Sequence, residues 1–310
     1  MVHGVLNINK EKGFTSHDVV AKLRGIVGQK KIGHTGTLDP DATGVLPVCL
    51  GKATKLCDML TDKDKTYETV MLLGKTTDTQ DISGEILSEG SLEGIDNDAV
   101  TKCIGEFVGD YMQVPPMYSA LKVNGKKLYE LARQGIEVER KARPVVIHEI
   151  KILDVDLPRV RMQVSCSKGT YIRTLCHDIG QKLGCGACME ELIRTKVSRF
   201  ELTDSLTLEE VSEMKEAGRL NEVLVPIDAM FSEYEAVTMK KEFAAFAYNG
   251  NLFMPKHICE RITLTDGKQV RVYDEEGTFI AIYAFCKDKW MFQIVKMFWD
   301  CNDVTIQSQS

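Results

Sequence analysis

The sequence contains no apolar run close to the roughly 20 residues that a helix needs to cross a bilayer. Its first residues, MVHGVLNINKEKG, contain neither the basic segment nor the apolar segment of a secretory signal. Of its 310 residues, 44% are hydrophobic and 27% are charged, which is typical of a soluble globular protein. We therefore expect a cytoplasmic protein with one large and one small domain, or with two domains of middling size.

The usual nucleotide-binding loops are also missing. A phosphate-binding loop has four residues between its first glycine and the Gly-Lys-Ser/Thr that ends it. Here six residues separate Gly44 from Gly51, and Lys52 is followed by alanine. No Gly-x-Gly-x-x-Gly follows a predicted strand. These absences argue against a nucleotide site.

The cysteines do not predict disulfides or a metal centre. The sequence has ten of them, but a chain that is neither small nor apparently secreted is expected to keep its thiols reduced. Cys185 and Cys188 have the spacing of a ligand or redox pair, yet no second Cys/His pair stands at a zinc-ribbon distance. We interpret both as core residues.

The charge is unevenly distributed. The net charge of −6 argues against indiscriminate binding of nucleic acid. Residues 115–173, however, contain twelve Lys/Arg and six Asp/Glu, whereas residues 201–235 contain two Lys/Arg and ten Asp/Glu. This distribution fits a protein with one phosphate-facing side, although two ordinary solvated faces would also produce it.

Residues 33–54, GHTGTLDPDATGVLPVCLGKAT, form the most unusual segment of the chain. They include four glycines, two prolines and two aspartates. Pro40 biases Asp39 toward an extended backbone, so a tight, irregular turn is expected there. Val45–Leu50 then predicts a buried strand that anchors the turn. Asp39 is either an ordinary surface-turn residue or a carboxylate held for chemistry.

Gly33–Pro47, GHTGTLDPDATGVLP, resembles the active-site motif of the TruB family of pseudouridine synthases. These bacterial enzymes isomerise uridine 55 in the T-loop of transfer RNA. The resemblance covers roughly Gly4–Met230 through several motifs. It implies that Asp39 is the essential aspartate of a tRNA pseudouridine synthase that uses base flipping and needs no metal or organic cofactor.

Two further motifs imply catalytic neighbours of Asp39. Tyr67 alone predicts a strand aromatic half in the core, but the family's matching Lys-x-Tyr segment implies that its ring stacks on the flipped base. Cys166–Arg173 matches the family's second motif. Arg173 is thus implied to be the partner that keeps Asp39 ionised, and Tyr171 is implied to line the same pocket in a role left open.

The remaining candidates around the site are less specific. His34 either closes its loop by hydrogen bonding or, as the resemblance implies, contacts the surroundings of the target nucleotide. Lys10 is most simply a solvated turn lysine, and only the family pattern implies an RNA contact. Asp81, in the loop after Gly74, is interpreted from its position as a partner for a basic residue of the site.

A basic segment at about 115–143 forms a candidate RNA-facing flap, called the basic flap below. It contains Lys122 within Pro-Pro-Met-Tyr-Ser-Ala-Leu-Lys, which matches the family's pattern. Asn124-Gly125 predicts a hairpin turn inside it. Residues 140–143 would extend the same basic face. Lys168, predicted to lie with Tyr171 and Arg173 at a strand-to-helix junction, is a further candidate RNA-binding residue.

The fold implied is mixed α+β, the pseudouridine-synthase fold, with a largely antiparallel central sheet and flanking helices. We expect a catalytic domain at 1–230, a small C-terminal β-rich, PUA-like RNA-binding domain at 231–300, and a disordered tail at 301–310. Strands are predicted at Gln269–Tyr273, Thr278–Phe285 and Met291–Phe298.

Three alternatives remain open at this stage. Asp39 could attack C1′ of the ribose, or remove a proton from C2′ to give a glycal. The protein could be a non-catalytic RNA-binding or tRNA-folding protein on the same scaffold. It could also be a guide-RNA-directed synthase, which would require partner proteins, whereas the basic flap favours a stand-alone form with no obligatory protein partner.

Overall fold

The computed structural model describes residues 1–123 and 125–300. Asn124 of the predicted hairpin turn and the tail 301–310 lie outside the described residues. The chain divides into two compact units. The large unit comprises Leu6–Val48 and Leu56–Leu220, and the small unit comprises Met1–Val5, Cys49–Lys55 and the chain from Asn221 onward. None of the helices described is long and apolar enough to cross a membrane.

The strands of the chain up to residue 201 are β1 Gly4–Lys10, β2 Ile32–His34, β3 Thr43–Leu50, β4 Lys65–Leu73, β5 Lys75–Thr77, β6 Ile86–Glu89, β7 Gly109–Gln113, β8 Lys122–Val123, β9 Lys126–Lys127, β10 Arg143–Asp156, β11 Arg159–Cys166, β12 Ala187–Val197 and β13 Phe200–Glu201. The helices of this part are α1 Ser16–Val27, α2 Cys57–Thr61, α3 Asn97–Gly105, α4 Leu128–Ala132, α5 Ile172–Leu183 and α6 Leu208–Glu216.

The central sheet has the strand order β1-β3-β12-β4-β11-β10-β7. Its pairs from β12 to β7 are antiparallel, and β3 joins β12 in parallel. This arrangement confirms the prediction of a mixed α+β fold with a largely antiparallel central sheet. It also places the segment after Asp39, which forms β3, two strands away from Tyr67 on β4.

Helices α3 and α5 cover one face of this sheet. The apolar residues of α5 recur at helical spacing (Ile172, Leu175, Cys176, Ile179), and they join Val100 and Ile104 of α3 and the inward side chains of β4, β10 and β11 in one buried cluster. Burial of this stripe is what stabilises α5. Because α5 begins at Ile172, the cluster also fixes the position of Arg173 in the first turn of the helix.

The ends of helix α1 are specified by nearby residues of the sequence. Thr15 accepts a hydrogen bond from the backbone N–H of Asp18 at 3.1 Å, and Asp18 Oδ2 accepts from the backbone of Thr15 at 2.8 Å. The helix ends at Gly28, whose φ of 74° is left-handed. This capping box and the left-handed glycine set the two ends of the helix.

The small unit contains the strands β14 Glu235–Thr238, β15 Gln269–Tyr273, β16 Phe279–Cys286 and β17 Met291–Met297, paired in that order, and helix α7 Ala244–Tyr248. The last three strands confirm the predicted ones, whereas β14, parallel to β15, was not predicted. Phe253, Tyr283, Phe285 and Phe292 lie in its buried core. The C-terminal part of this unit begins at Asn221, and the unit also includes Met1–Val5 and Cys49–Lys55.

Candidate active site

Asp39 lies in the loop between β2 and β3, here called the Asp39 loop (residues 35–42). Hydrogen bonds from outside hold its backbone: Ser16 Oγ accepts from the N–H of Leu38 at 2.9 Å, and Pro40 O accepts from the N–H of Gly13 at 2.9 Å. The N–H of Ala42 closes the turn by donating to Asp39 O at 3.2 Å. The loop is therefore a rigid, irregular turn, as predicted from Asp39-Pro40.

Lys10 is not the solvated turn lysine that was expected. It is fully buried, and its ammonium donates to three backbone carbonyls, of Glu11 at 3.0 Å, Phe14 at 2.6 Å and Pro40 at 3.0 Å. All three donors of the ammonium are therefore used inside the protein, which leaves none for the RNA contact. Burial lowers the pKa of Lys10 to about 8, although Asp39 and Asp41 oppose this shift.

Arg173 joins two carboxylates. Its Nη2 lies 2.8 Å from Asp39 Oδ2, and its Nη1 lies 3.4 Å from Asp81 Oδ2. The exposed fractions of the side chains are 7% for Arg173, 17% for Asp81 and 39% for Asp39. Asp39 is thus the carboxylate of this group that a substrate can reach.

The electrostatics of Asp39 are balanced between opposing effects. Desolvation by the surrounding protein raises the pKa of its carboxyl above the ordinary value, and Asp81 adds to that rise. The Arg173 guanidinium and, more weakly, the Lys10 ammonium act in the opposite direction. Arg173 therefore supplies the charge that favours the ionised carboxylate at this desolvated position.

Asp81 is held by its own hairpin loop. Its Oδ1 accepts from Thr79 Oγ1 at 2.8 Å and from Ser83 Oγ and N at 2.5 Å and 3.1 Å, while its backbone oxygen accepts from Thr77 Oγ1 at 2.7 Å. These bonds orient the other oxygen, Oδ2, toward Arg173. The structure thus brings Asp81 to a basic residue of the site.

Tyr67 is 9% exposed and lies on β4 directly opposite Arg194 of β12. Burial raises the pKa of its phenol, and the positive charge of Arg194 opposes the rise. Arg194 was missed by sequence reasoning, because a single arginine among the charged residues of a strand is typical of a solvated face. Its complete burial depends on the pairing of β12 with β3 and β4, which no local pattern reveals.

Tyr171 precedes α5 and is clamped by its backbone. The side chain of Gln113 accepts from the N–H of Tyr171 at 2.8 Å and donates to its carbonyl at 3.0 Å. The tyrosine is half-buried, and burial raises the pKa of its phenol. This clamp connects β7 with the N-terminus of the helix that carries Arg173.

The other predicted residues stand apart from the Asp39–Arg173–Asp81 group. The half-buried ring of His34 packs edge-on against His17 at 5.2 Å, and burial lowers its pKa, which favours the neutral imidazole. Lys168 is exposed and lies 2.7 Å from Asp62. Lys122 is exposed in the β8–β9 hairpin of the basic flap.

Among the residues that the structure describes, no cysteine forms a disulfide. Cys185 and Cys188 are 4% and 0% exposed, as expected of core residues. Within residues 1–123 and 125–300, no group of three or more His, Cys, Asp and Glu side chains could hold a metal ion. The chemical groups that the site does present are a reachable carboxylate, the guanidinium that neutralises it, and the buried ring of a tyrosine.

Comparison with known proteins identifies relatives of this arrangement. Residues 24–172 match the family described as "TruB family pseudouridylate synthase (N terminal domain)". Residues 173–232 match "tRNA pseudouridylate synthase B C-terminal domain". The chain is 53% identical to the tRNA pseudouridine synthase B of Lachnoclostridium phytofermentans, over 96% of this chain and 100% of that protein. It is 44% identical to the enzyme of the same name from Clostridium acetobutylicum, over 95% and 99%.

Solved structures are similar over nearly the whole chain as well. A Cbf5-Nop10-Gar1 complex contains a chain with a TM-score of 0.72 and 27% identity, covering 97% of this chain and 86% of that one. An H/ACA RNP bound to a substrate RNA containing 2'-deoxyuridine contains another, with a TM-score of 0.71 and 25% identity, covering 96% and 86%.

Proposed function

The chain belongs to the TruB family of pseudouridine synthases, and from this premise we propose that it isomerises uridine 55 in the T-loop of transfer RNA. It is an isomerase that acts on tRNA, as the full-length similarity to proteins named tRNA pseudouridine synthase B supports. We also propose that the target uridine lies in the T-loop, that the protein needs no protein partner, and that it acts in the cytoplasm.

The observation that carries the mechanism is the geometry around Arg173. A buried guanidinium stands between two carboxylates, and of these only Asp39 is open enough to meet a ribose. Aspartate is a nucleophile or base only when it is ionised, and Arg173 favours that form. We assign Asp39 as the catalytic carboxylate, Arg173 as the group that orients and neutralises it, and Asp81 as the partner that orients Arg173.

The reaction then follows in steps. The target uridine leaves its stack, at a cost of a few kcal/mol, and its ring packs against Tyr67. Asp39 either attacks C1′ or removes the C2′ proton, and in both routes the N1–C1′ bond breaks. The detached uracil turns and a C5–C1′ bond forms; in the first route the Asp39–C1′ bond breaks in this step, and in the second C2′ regains the proton that Asp39 removed. The C5 proton is then lost while N1 gains one. The product is therefore an isomer of the substrate.

The RNA-binding parts are proposed from charge and position. The basic flap, with Lys122, and the exposed Lys168 would contact the phosphates of the T-stem, and His34 would contact the surroundings of the target nucleotide. The small unit would act as the PUA-like domain that binds another part of the tRNA. Tyr171 would line the pocket beside Arg173, where its backbone is clamped by Gln113.

The test is tritium release from C5-labelled uridine in a T-loop minihelix, measured for wild type and Asp39→Asn. We expect release by wild type, none by Asp39→Asn, and minihelix affinities within about threefold of each other, because the amide keeps the shape of the carboxylate. Wild-type rates in the variant would refute the assignment of Asp39. No release by wild type, with tight binding intact, would favour a non-catalytic RNA-binding protein.

A further inference from the structure

The first turn of α5 carries Arg173, and its backbone depends on partners from outside the helix. The helix begins at Ile172, and in the described part of the chain the side chain of Tyr171, the residue before it, forms no capping hydrogen bond. Backbone groups at a helix N-terminus have no partners inside the helix. The apolar stripe of α5 packs the helix against the sheet, but it cannot supply these hydrogen bonds.

Gln113 supplies partners from one side. It is the last residue of β7 and is 1% exposed. Its Oε1 accepts from the N–H of Tyr171 at 2.8 Å, and its Nε2 donates to the carbonyl of the same residue at 3.0 Å. In a capping box, a Glu or Gln three positions into the helix accepts from the N–H of the residue before the helix. Gln113 performs this role from a strand 58 positions away.

Gln80 holds the same turn from the other side. Thr174 occupies the third helical position, is 1% exposed, and donates its hydroxyl to Gln80 Oε1 at 2.7 Å. Gln80 precedes Asp81 in the hairpin loop, and its own carbonyl accepts from the N–H of Met189 at 3.0 Å. The loop that holds Asp81 is therefore attached to the helix turn that carries Arg173.

Arg173 lies in sequence between the two attached residues, Tyr171 and Thr174. Its Nη2 is 2.8 Å from Asp39 Oδ2, and its side chain is 7% exposed. A side chain packed this tightly has little room to compensate for a movement of its own backbone. The position of the first turn of α5 therefore determines whether the guanidinium reaches the carboxylate.

We propose that Gln113 and Gln80 are positioning residues, which fix the first turn of α5 from two sides so that the Arg173 guanidinium meets the Asp39 carboxylate. Neither glutamine touches the substrate. The inference rests on the proposed function, since it takes Asp39 as the catalytic carboxylate. It adds that two amides outside the Asp39–Arg173–Asp81 group set the rate of the reaction through Arg173.

The experiment compares Gln113→Met and Thr174→Val with wild type. Methionine keeps the length of glutamine and removes both hydrogen bonds to the backbone. Valine keeps the shape of threonine and removes the donor to Gln80. Asn7→Leu is the matched control for the loss of a buried amide: Asn7 is 7% exposed, and its Nδ2 donates to a backbone carbonyl of β13 at 2.7 Å, away from α5.

Three quantities are measured for each protein. Multiple-turnover tritium release at saturating minihelix gives kcat across the acid range, and minihelix titration gives Kd. The 13Cγ signal of Asp39, assigned by its loss in Asp39→Asn, reports the ionisation of the carboxyl without any turnover. Urea unfolding reports how much stability each variant has lost.

We expect the kcat plateau to fall about tenfold in Gln113→Met and about threefold in Thr174→Val, because small misplacements of reacting groups cost rates of this order and the first variant loses two bonds. Kd should stay close to the wild-type value, since the exposed lysines that would contact phosphates are unchanged.

The pH dependence separates positioning from general destabilisation. The charged groups that act on Asp39 are Arg173 of α5, Asp81 of the hairpin loop and Lys10 of β1. Arg173 lowers the pKa of Asp39, so its displacement should raise that pKa. Because Asp39 is active when ionised, the acid limb of kcat and the 13Cγ titration should both move to higher pH in the two variants. Asn7→Leu should lose stability but move neither.

The outcomes that contradict the proposal are distinct. A folded Gln113→Met with kcat within twofold of wild type would overturn it, as would a lower plateau with an unmoved acid limb. Equal movement of the limb in Asn7→Leu would assign the effect to lost stability. If Gln113→Met does not fold, Thr174→Val decides by the same measurements. Absence of release by wild type would refute the proposed function instead, and the 13Cγ titration would still report whether the glutamines act on Asp39.

Discussion

Replacing Asp81 with asparagine would remove one charge from the Asp39–Arg173–Asp81 group while keeping its shape. Asp81 Oδ1 accepts hydrogen bonds from the hydroxyl of Thr79 and from the hydroxyl and backbone N–H of Ser83. These donors therefore favour the amide oxygen at that position, which turns the amide nitrogen toward Arg173. A donor would then face a donor, and Arg173 would keep Asp39 as its partner but lose its second anchor.

The size of the effect follows from the contact that is lost. A hydrogen bond to a charged group contributes about 1.5–3 kcal/mol. The Arg173–Asp81 distance of 3.4 Å is long for such a bond, so we take the lower end of that range. If the loss appears fully in the positioning of Arg173, about 1.5 kcal/mol corresponds to a roughly tenfold decrease in kcat.

The same substitution should change the pH dependence in a definite direction. Asp81 raises the pKa of Asp39, so its neutralisation should lower that pKa. Because Asp39 is active when ionised, activity is lost as the pH falls through its pKa. The acid limb of the kcat profile should therefore move to lower pH in Asp81→Asn, even though the plateau is lower. General damage to the site would lower the kcat plateau but would not move the acid limb to lower pH.

The assay is multiple-turnover tritium release at saturating minihelix between pH 4.5 and 8, with minihelix affinity measured at each pH. The matched control is Asp78→Asn, in the same hairpin. Asp78 accepts from the N–H of Glu85 at 2.8 Å and forms no ion pair with Arg173. A kcat within twofold of wild type together with an unmoved acid limb would refute the role of Asp81, and equal losses in both variants would assign the effect to the hairpin.

Three further predictions concern the support of the site. Gly44→Ala should lower the free energy of unfolding by about 2–4 kcal/mol, because Gly44 has a φ of 101° and a Cβ built there would lie 2.3 Å from Arg194 O. Urea unfolding measures this change. Gly25→Ala is the control and should be neutral or stabilising, because a Cβ at Gly25 would meet no atom within 4 Å. Turnover should fall above pH 8 as Lys10, whose pKa is lowered from 10.5 to about 8, loses its proton and weakens its contacts to the loop. The pKa of Lys10 is lower in the folded protein than in the unfolded chain, so the contribution of Lys10 to the free energy of unfolding should rise between pH 8 and 10.5. Calorimetry that shows the protein unfolding over the same pH range in which turnover falls would contradict this explanation. Lys122→Gln should reduce the salt dependence of tRNA affinity by about one unit of slope, and an unchanged slope would remove Lys122 from the interface.

Much of the fold could be predicted because its signals are local. The capping residues around Thr15 and Gly28 specify α1 within a few residues of sequence. Alternating apolar residues separated by Gly turns specify the strands after residue 268. In contrast, β14 is short and parallel to a distant strand, so its pairing depends on the rest of the small unit and has no local signal.

The candidate site shows the same division. Local sequence is enough to predict that Asp39 lies in a stiff turn, and the motif around Arg173 predicts which guanidinium accompanies it. The tertiary fold buries Lys10 against the Asp39 loop and brings Arg194 of β12 to Gly36 O in the same loop. Arg194 and Val45 are 149 positions apart in the chain, and whether a charged side chain is buried depends on which strands close over it. Composition and spacing set the residues that can do chemistry, whereas long-range strand pairing sets which of them are desolvated and what they hold in place.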